Sequence, residues 1–377
     1  MYLMVPIFAR MGDSFVNKCR EIQVTKNLRY QLLFTAILSC FLLGFSCDKP
    51  VEPVEPTFYK FYFADAQNNR LYTYTPNTNR IDSVQVPWGT FPGITASADG
   101  KLLYFAQGNS IIVAGTDSLT FVAEIPYPSL YPVSVSPNNQ YIALTGNQLF
   151  ILRTSDYKVV YKDSSQILYV NGAFSNDSKM FFCASLLSPD SSSVVLSIDL
   201  SNNTFELNRK GFDGGSVVYV IPSIDNTKLF LYVVLGLWTW SFQVYDVTLD
   251  SIIFRDELVP GSGSLVQSSD GRFVYYTSPG RTSTDPPANQ SFTIFDVEKN
   301  EIDTVVIDSG FFCSPVGCMP PKLLAVTADG NWLGILGGGM FLLNFYVYDI
   351  KERKAEFRLI TTTEINQFTS ISSQTVQ

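Results

Sequence analysis

The chain has 377 residues, of which 46% are hydrophobic and 14% aromatic, so it can bury a large core, and only 16% are charged. The formal net charge is −8, and residues 1–46 hold five of the basic but only two of the acidic residues. An acidic body repels phosphate, which argues against nucleic-acid binding and electrostatic membrane-surface binding. Histidine is absent, which excludes a Ser-His-Asp triad, a Cys-His dyad and histidine metal ligands.

Residues 1–46 are predicted to be a secretory leader. Lys26 and Arg29 precede an apolar run of about 16 residues that ends in small residues before Cys47. This run is short for a membrane span. Residues 43–47, LGFSC, resemble a bacterial lipobox, which implies cleavage before Cys47 and attachment of lipid to it. An uncleaved signal anchor is the alternative.

Residues 47–56 are predicted to be the lipidated cysteine and a tether. The tether sequence DKPVEPVEP has no core-forming pattern, and such Pro-rich segments are extended and semi-rigid. The segment and the aromatic-rich body resemble surface lipoproteins of Bacteroidetes. We therefore expect a cell-envelope location, at the outer membrane or cell surface rather than the inner membrane, with the lipid anchor as the only membrane contact.

One hairpin pattern recurs six times after the tether. Each copy has an apolar strand, a turn of the form Ser/Thr-x-Asp/Asn with a Gly-like residue, and an apolar aromatic strand, because Asp-Gly and Asn-Asn supply the left-handed conformations of tight turns. The turns begin at Ser97, Ser136, Ser175, Ser223, Ser268 and Thr327. Their acidic residues are Asp99, Asp177, Asp225, Asp270 and Asp329. We interpret these carboxylates as turn-stabilising groups rather than a metal ring.

The spacing of the turns predicts the architecture. The turns start 39, 39, 48, 45 and 59 residues apart, and each unit has four predicted strands, a pattern typical of propeller blades. Residues 58–87 hold three further strands, and Phe368–Ser373 resembles an isolated innermost strand. Together they complete a seventh blade and close the ring. The sequence thus predicts an all-β, seven-bladed β-propeller of four-stranded antiparallel blades over residues 57–373, followed by a tail at 374–377.

The repeat unit resembles that of the YVTN/YncE-like propellers, whose units run S-P-D-G-K-x-L-Y-V-A-N and later V-x-V-I-D. The copies that carry the resemblance include SADGKLLY at 97–104 and SSDGRFVY at 268–275. The resemblance implies the fold. It implies no single function, because related propellers include binding modules, scaffolds and enzymes.

Several loops carry apolar side chains where other loops are polar. Two of them join the second and third strands of blades five and seven. The corresponding loop of blade six, between them, is long and polar. The other two loops are connections between blades. Apolar side chains on loop tips need a partner, so we predict a binding surface there, with internal packing as the alternative. The candidate residues are Trp238, Trp240, Leu237, Arg281, Asp285, Met340, Phe341, Trp88 and Tyr131.

Cys313 and Cys318 are the one close cysteine pair after the leader, and an oxidising envelope favours a disulfide between them. Cys183, in a predicted strand, is expected to be a buried free thiol. We predict no metal site and no cofactor.

Two classes of function remain open. The first is a non-catalytic, monomeric envelope lipoprotein that binds a small molecule, a glycan or another envelope protein, for example in nutrient capture. The alternative is a lactonase-like hydrolase or a lyase that uses carboxylate, Tyr or Arg chemistry. The predicted channel-facing strands are mostly small and apolar, which favours the first class because a general base must lie within reach of its substrate.

Overall fold

The computed structural model describes residues 58–65, 69–86, 93–107, 109–129, 131, 133–163, 168–186, 193–201, 205–212, 215–236, 239–258, 264–278, 291–306, 313–314, 317–318, 323–327, 329–339, 342–361 and 368–376. These residues form seven four-stranded antiparallel sheets arranged as a β-propeller, which confirms the predicted fold. Over the same ranges, no helix has the length and apolar character needed to cross a bilayer.

We letter the blades A to G in chain order. Blade A contains β1 (Phe58–Asp65), β2 (Arg70–Thr75), β3 (Arg80–Gln85) and, from the far end of the chain, β30 (Phe368–Val376), with a 3-10 turn at Pro76–Thr78. Blade B contains β4 (Gly93–Ala96), β5 (Leu102–Ala106), β6 (Ile111–Gly115) and β7 (Phe121–Ile125). Blade C contains β8 (Ser134–Val135), β9 (Tyr141–Leu144), β10 (Leu149–Arg153) and β11 (Val159–Asp163).

The remaining blades follow in the same order. Blade D contains β12 (Leu168–Phe174), β13 (Met180–Leu186), β14 (Ser193–Asp199) and β15 (Glu206–Phe212). Blade E contains β16 (Ser216–Pro222), β17 (Lys228–Gly236), β18 (Thr239–Asp246) and β19 (Ser251–Leu258). Blade F contains β20 (Leu265–Gln267), β21 (Phe273–Ser278), β22 (Ser291–Asp296) and β23 (Glu301–Val306). A hairpin of β24 (Cys313–Ser314) and β25 (Gly317–Cys318) precedes blade G, which contains β26 (Leu323–Val326), β27 (Trp332–Gly339), β28 (Leu342–Asp349) and β29 (Lys354–Thr361).

The first strand of each blade lies against the first strands of its two neighbours, which closes a ring around a central channel. Hydrophobic clusters fill the spaces between successive blades and form the core. The fourth strands are the outer edges and carry mostly exposed side chains, as in β3. Burial therefore falls from the channel outward, as expected for radially packed sheets.

The ring has two faces that differ in their turns. The turn face, as we call it, carries the turns between first and second strands and those between third and fourth strands. The mouth face carries the turns between second and third strands and the connections between blades. Because the strands of a blade are antiparallel and sequential, each kind of turn recurs on the same face in every blade.

The first and last strands of the propeller pair with each other in blade A. Strand β30 pairs with β1 from Phe58 opposite Val376 to Asp65 opposite Phe368. This pairing confirms that the C-terminal segment supplies the innermost strand of the seventh blade, and the strand continues past the predicted end at Ser373. The position that a first-to-second-strand turn occupies in the other blades is here taken by Phe58 and Val376, the first and last described residues.

The six recurring turns share one hydrogen-bond pattern. In each turn the first Ser or Thr hydroxyl donates to the Asp or Asn side chain two residues on, at 2.6–2.8 Å. The same oxygen accepts the backbone N–H five residues on, at 2.9–3.1 Å. The carboxylates thus stabilise turns, as predicted, and the Ser175 hydroxyl holds the pKa of Asp177 below its ordinary value.

Turns of neighbouring blades also touch. The Ala98 N–H donates to Asn139 Oδ1 at 2.8 Å, and the Asn138 N–H donates to Ser178 Oγ at 3.1 Å. These bonds link blade B to C and blade C to D on the turn face. The turns of blades E and F also pack closely. A Cβ added at Gly271 of the blade F turn would lie 2.7 Å from Ile224 Cδ1 of the blade E turn.

The turns between third and fourth strands make a second set of contacts between neighbouring blades. A non-glycine residue with φ between 49° and 55° occurs at this turn in all seven blades: Asn79, Leu119, Tyr157, Phe205, Asp250, Asn300 and Arg353. Several of these residues reach the preceding blade. Leu119 packs against the cluster between blades A and B, Asp250 pairs with Lys210 of blade D at 2.5 Å, and Arg353 pairs with Asp303 of blade F. The left-handed backbone thus directs a side chain across the gap between blades.

Candidate functional site at the channel mouth

Most of the predicted surface lies outside the described residues. This applies to Trp88, Leu237, Trp238, Arg281, Asp285, Met340 and Phe341, and also to Cys47. Two predicted residues, Tyr131 and Trp240, are described with their side chains. They come from different blades, and the contacts around them define the candidate site.

Tyr131 lies in the loop that leads from blade B into the first strand of blade C. Buried Ser129 anchors this loop, because its Oγ lies 2.7 Å from the Tyr131 carbonyl oxygen and 3.3 Å from that of Thr145 in the blade C turn. The half-buried Tyr131 ring packs against the hydrophobic cluster between blades D and E. The ring therefore contacts a cluster that belongs to blades other than the two its own loop joins.

Tyr219 is the blade E residue whose phenol is influenced electrostatically by that of Tyr131. It lies in the innermost strand β16, where the register with β17 shifts between Val217 and Tyr219. Burial of its phenol, together with the neighbouring phenol of Tyr131, raises the pKa of Tyr219 to about 12. Burial also raises the pKa of Tyr131. Both hydroxyl groups are thus protonated at neutral pH and can donate hydrogen bonds.

A row of aromatic side chains continues outward along blade E. Tyr232 is the direct cross-strand partner of Tyr219, and its hydroxyl donates to the Thr277 carbonyl oxygen of blade F at 3.2 Å. The Tyr232 ring meets Trp240 edge to face, with centroids 5.2 Å apart. We call Tyr131, Tyr219, Tyr232 and Trp240 the mouth aromatics. One predicted residue, Trp240, thus belongs to the row of blade E, and the other, Tyr131, packs on the side of blade E that faces blade D.

Sequence reasoning missed Tyr219 and Tyr232. Both occur in strands with alternating apolar residues, where an aromatic side chain is normally part of the core. Tyr232 is indeed fully buried. One signal was available in the sequence: Val218 and Tyr219 are consecutive large apolar residues in a first strand. In the structure both pack on the blade F side, which an undistorted strand would not allow because its side chains alternate between two faces.

Two clefts on the turn face are the other cavities to consider. One, of about 510 Å³, lies between blades F and G and is lined by Arg272, Asp296, Lys299, Asp303 and Arg353 among others. Its charges face each other, since Arg272 and Lys299 lie 3.5 and 3.8 Å from Asp296 Oδ2. The other, of about 260 Å³, lies between blades A and B. Neither includes a residue of the predicted surface.

Several of the described acidic residues have structural roles. No group of three or more Cys, Asp or Glu side chains in the described ranges is placed to hold a metal ion. Asp246 and Asp349 accept backbone N–H groups in the turns between third and fourth strands, at 2.8 and 2.7 Å. Asp256 accepts a 2.8 Å bond from the Tyr276 hydroxyl between blades E and F.

The paired cysteines lie on the small hairpin before blade G. Cys313 and Cys318 are direct Cα partners in the β24–β25 ladder. Opposed residues of an antiparallel ladder have Cα atoms about 4.5–5.5 Å apart, which lies inside the range that a disulfide spans. The backbone is thus compatible with the predicted disulfide. Cys183 is a buried free thiol, as predicted.

The fold defines a seven-bladed β-propeller with an aromatic channel mouth. No protein-family model and no curated protein sequence matches the chain. Solved structures match the fold at low identity. They include a Lactobacillus plantarum protein (10% identity, TM-score 0.60, 85% of this chain and 100% of that one). A second is described as a "putative 6-phosphogluconolactonase" from Bacteroides fragilis (12%, 0.59, 85% and 98%). The third is the β-propeller domain of Myceliophteria thermophila Cps50, or Swd1 (10%, 0.58, 75% and 89%). At these identities the likeness shows the fold alone.

Proposed function

We propose that this protein is a non-catalytic, lipid-anchored envelope protein of the YVTN/YncE-like type that captures a ligand at the channel mouth. The observation that carries the proposal is the placement of the mouth aromatics: Tyr131 from the connection into blade C packs on the cluster between blades D and E, and Tyr219 begins the blade E row that leads to Trp240. A rigid ring that presents aromatic faces and phenol donors at one opening has the features of a small-molecule site.

The chemistry of the mouth favours a ligand with both ring faces and hydrogen-bond acceptors. Aromatic side chains offer flat apolar area and stack on ring systems. The hydroxyl groups of Tyr131 and Tyr219 are protonated at neutral pH, as tyrosine hydroxyl groups ordinarily are, and can donate hydrogen bonds. Glycans and corrinoids combine rings with acceptors in this way, and either would suit a protein that captures nutrients at the cell surface.

The anchor in this proposal is the lipid on Cys47. The lipobox-like residues 43–47 and the Pro/Glu segment after them support it. Metabolic labelling with an alkyne fatty acid tests this part directly. The label should appear on the full chain and disappear from a Cys47→Ser variant. A labelled Cys47→Ser protein, or an unlabelled parent, would overturn the anchor.

The binding part is tested by titrating the purified full chain with cyanocobalamin and, separately, with maltoheptaose. Tyr131→Ala and Trp240→Ala should each weaken binding of the probe that the parent binds by about tenfold or more, since each removes a large contact area. Tyr127→Ala is a matched control. Tyr127 lies in the same loop as Tyr131, but it packs between blades B and C with its ring 5.1 Å from Phe150.

The outcomes separate the two classes of function. Equal binding by the parent, Tyr131→Ala and Trp240→Ala would remove the mouth as the site. Failure of the parent to bind either probe would overturn the glycan and corrinoid assignment. Hydrolysis of 6-phosphogluconolactone by the parent at an enzymatic rate would replace capture by a lactonase function.

A further inference from the structure

Large apolar side chains are exposed at two separate places on the turn face. In blade E, Leu249 is 67% exposed, and Val247, Ile252 and Ile253 beside it are also exposed. In blade B, Phe121 and Val122 are 53% and 51% exposed at the start of the outer strand. The blade E group lies in and directly after the turn between the third and fourth strands, and the blade B group directly follows the equivalent turn. Single exposed apolar residues are ordinary, whereas neighbouring exposed apolar residues mark interaction sites.

Comparison among the blades shows that Leu249 departs from the repeat. It is the third residue of its turn, directly before the left-handed residue Asp250. The described residues at the same position of other turns are polar: Thr78, Ser118, Asp156, Lys299 and Glu352. A leucine here cannot be explained by the needs of the turn, because five turns of the same form use polar residues.

The chain also enters the ring on this face. Phe58, the first residue of β1, is paired with Val376 at the turn-face end of blade A. The ten residues 48–57 separate it from Cys47. At roughly 3.1 Å per residue for an extended Pro-rich segment, they span about 30 Å. A lipid on Cys47 therefore keeps this end of the ring close to a bilayer.

We propose that the turn face rests on the lipid bilayer through the apolar tips of blades B and E, with the mouth face pointing away. The inference depends on the lipid anchor of the proposed function and adds a contact made by the propeller itself. Two blades lie between B and E on one side of the ring and three on the other, so the tips are widely separated and together oppose tilting. The contact is apolar, because acidic groups such as Asp117 and Asp246 lie beside the tips. It thus favours zwitterionic over anionic lipid.

The test places the photocrosslinking residue p-benzoylphenylalanine at Leu249, at Phe121 or at Glu257 in the full chain. Glu257 is the control, because it is also exposed and on an outer strand, but lies at the mouth-face end of β19 in blade E. After irradiation of membranes from the producing cells, mass spectrometry should find acyl-chain adducts at positions 249 and 121 and none at 257. Purified chain mixed with phosphatidylcholine vesicles should give the same pattern.

A second variant tests the tilt argument. Leu249→Asp should cause a loss of lipid adducts at position 121, because one of the two supports is removed. Thr78→Asp, at the equivalent tip of blade A, adds the same charge to a tip that is already polar and should leave those adducts unchanged.

Each result decides one of the two proposals. Adducts to another protein at positions 249 and 121 would show a protein partner instead of lipid and overturn the inference. An absence of adducts at both positions in cells whose Cys47 is acylated would also overturn it and leave the anchor standing. An unmodified Cys47 would overturn the anchor, and the vesicle experiment would then decide the lipid contact alone.

Discussion

Removing residues 368–377 is the most direct test of how the ring is held closed. The truncation deletes β30 and leaves blade A with three strands. Strand β1 then loses its inner partner along its whole length, from Phe58 to Asp65. Phe61, Tyr62 and Phe63 of this strand are fully buried, and Phe63 stacks on Phe345 of blade G at 4.3 Å. The loss therefore affects the interface between the first and last blades.

The pairing of β1 with β30 gives the magnitude. Seven residue pairs are in register, and an antiparallel ladder has about one backbone hydrogen bond per pair. At a net 0.5–1.5 kcal/mol for each bond, the lost pairing is worth roughly 4–10 kcal/mol. Whole domains are stable by only about 5–15 kcal/mol. The truncation should therefore unfold the ring or leave it marginal, rather than trim a tail.

Thermal unfolding followed by circular dichroism measures the effect. The truncated chain should melt at least about 10 °C below the parent, since 1 kcal/mol shifts the Tm of a large domain by about 2–4 °C. Deletion of Gln377 alone is the control, because β30 ends at Val376, and it should leave the Tm unchanged. A truncated chain that melts within about 3 °C of the parent would refute closure by β30.

Three further predictions concern the turns, the small hairpin and acid. Gly271→Ala should lower the free energy of unfolding by about 1–3 kcal/mol, because Gly271 has φ +74° and an added Cβ would clash with Ile224. Gly211→Ala is the control, because the space around its added Cβ is open. It should change the free energy of unfolding, measured by chemical denaturation, by less than about 0.5 kcal/mol. Thiol labelling of the denatured, unreduced mature chain should find Cys183 alone, and two more reactive thiols would exclude the disulfide between Cys313 and Cys318. The lowered pKa of turn carboxylates means that they stabilise the fold above about pH 4, and the stability is lost as the pH falls through the folded-state values. The urea midpoint should thus fall between pH 4 and pH 2.5, and a constant midpoint would contradict this.

The number of blades was predictable because the turn motif and the strand pattern carry separate information. The motif occurs six times, and the seventh copy is missing for a physical reason. In blade A the place of the turn is taken by the meeting of Phe58 with Val376, so no turn residues are needed there. The three strands of residues 58–87 and the lone C-terminal strand supplied the missing blade. The turn aspartates were predictable too, because their hydrogen bonds are local and depend on nearest neighbours.

The candidate site was predictable only in part, because its contacts cross blades. Tyr131 was visible as an aromatic residue in a connection, and Trp240 as part of an apolar loop. Nothing local in the sequence indicates that Tyr131 packs over the cluster between blades D and E. Tyr219 was hidden for a related reason, since the register shift beside it in β16 depends on pairing with β17 and has no local signal. Such long-range placement comes from the closed ring and not from local propensity.

The repeat supplies an internal reference for separating structure from function. Features that recur in nearly every blade, such as the Ser–Asp turn and the left-handed residue before the fourth strand, hold neighbouring blades together. Departures from the repeat are not explained by this shared role. Tyr131 and Tyr219 depart on the mouth face, and Leu249 departs on the turn face, where the chain enters. If both departures are functional, substitution of Leu249 should leave ligand binding at the mouth unchanged. Substitution of Tyr131 should likewise leave the lipid adducts unchanged. Both follow because the rigid ring between the two sites transmits no change of shape. Loss of both properties in either variant would show instead that these residues are needed for folding.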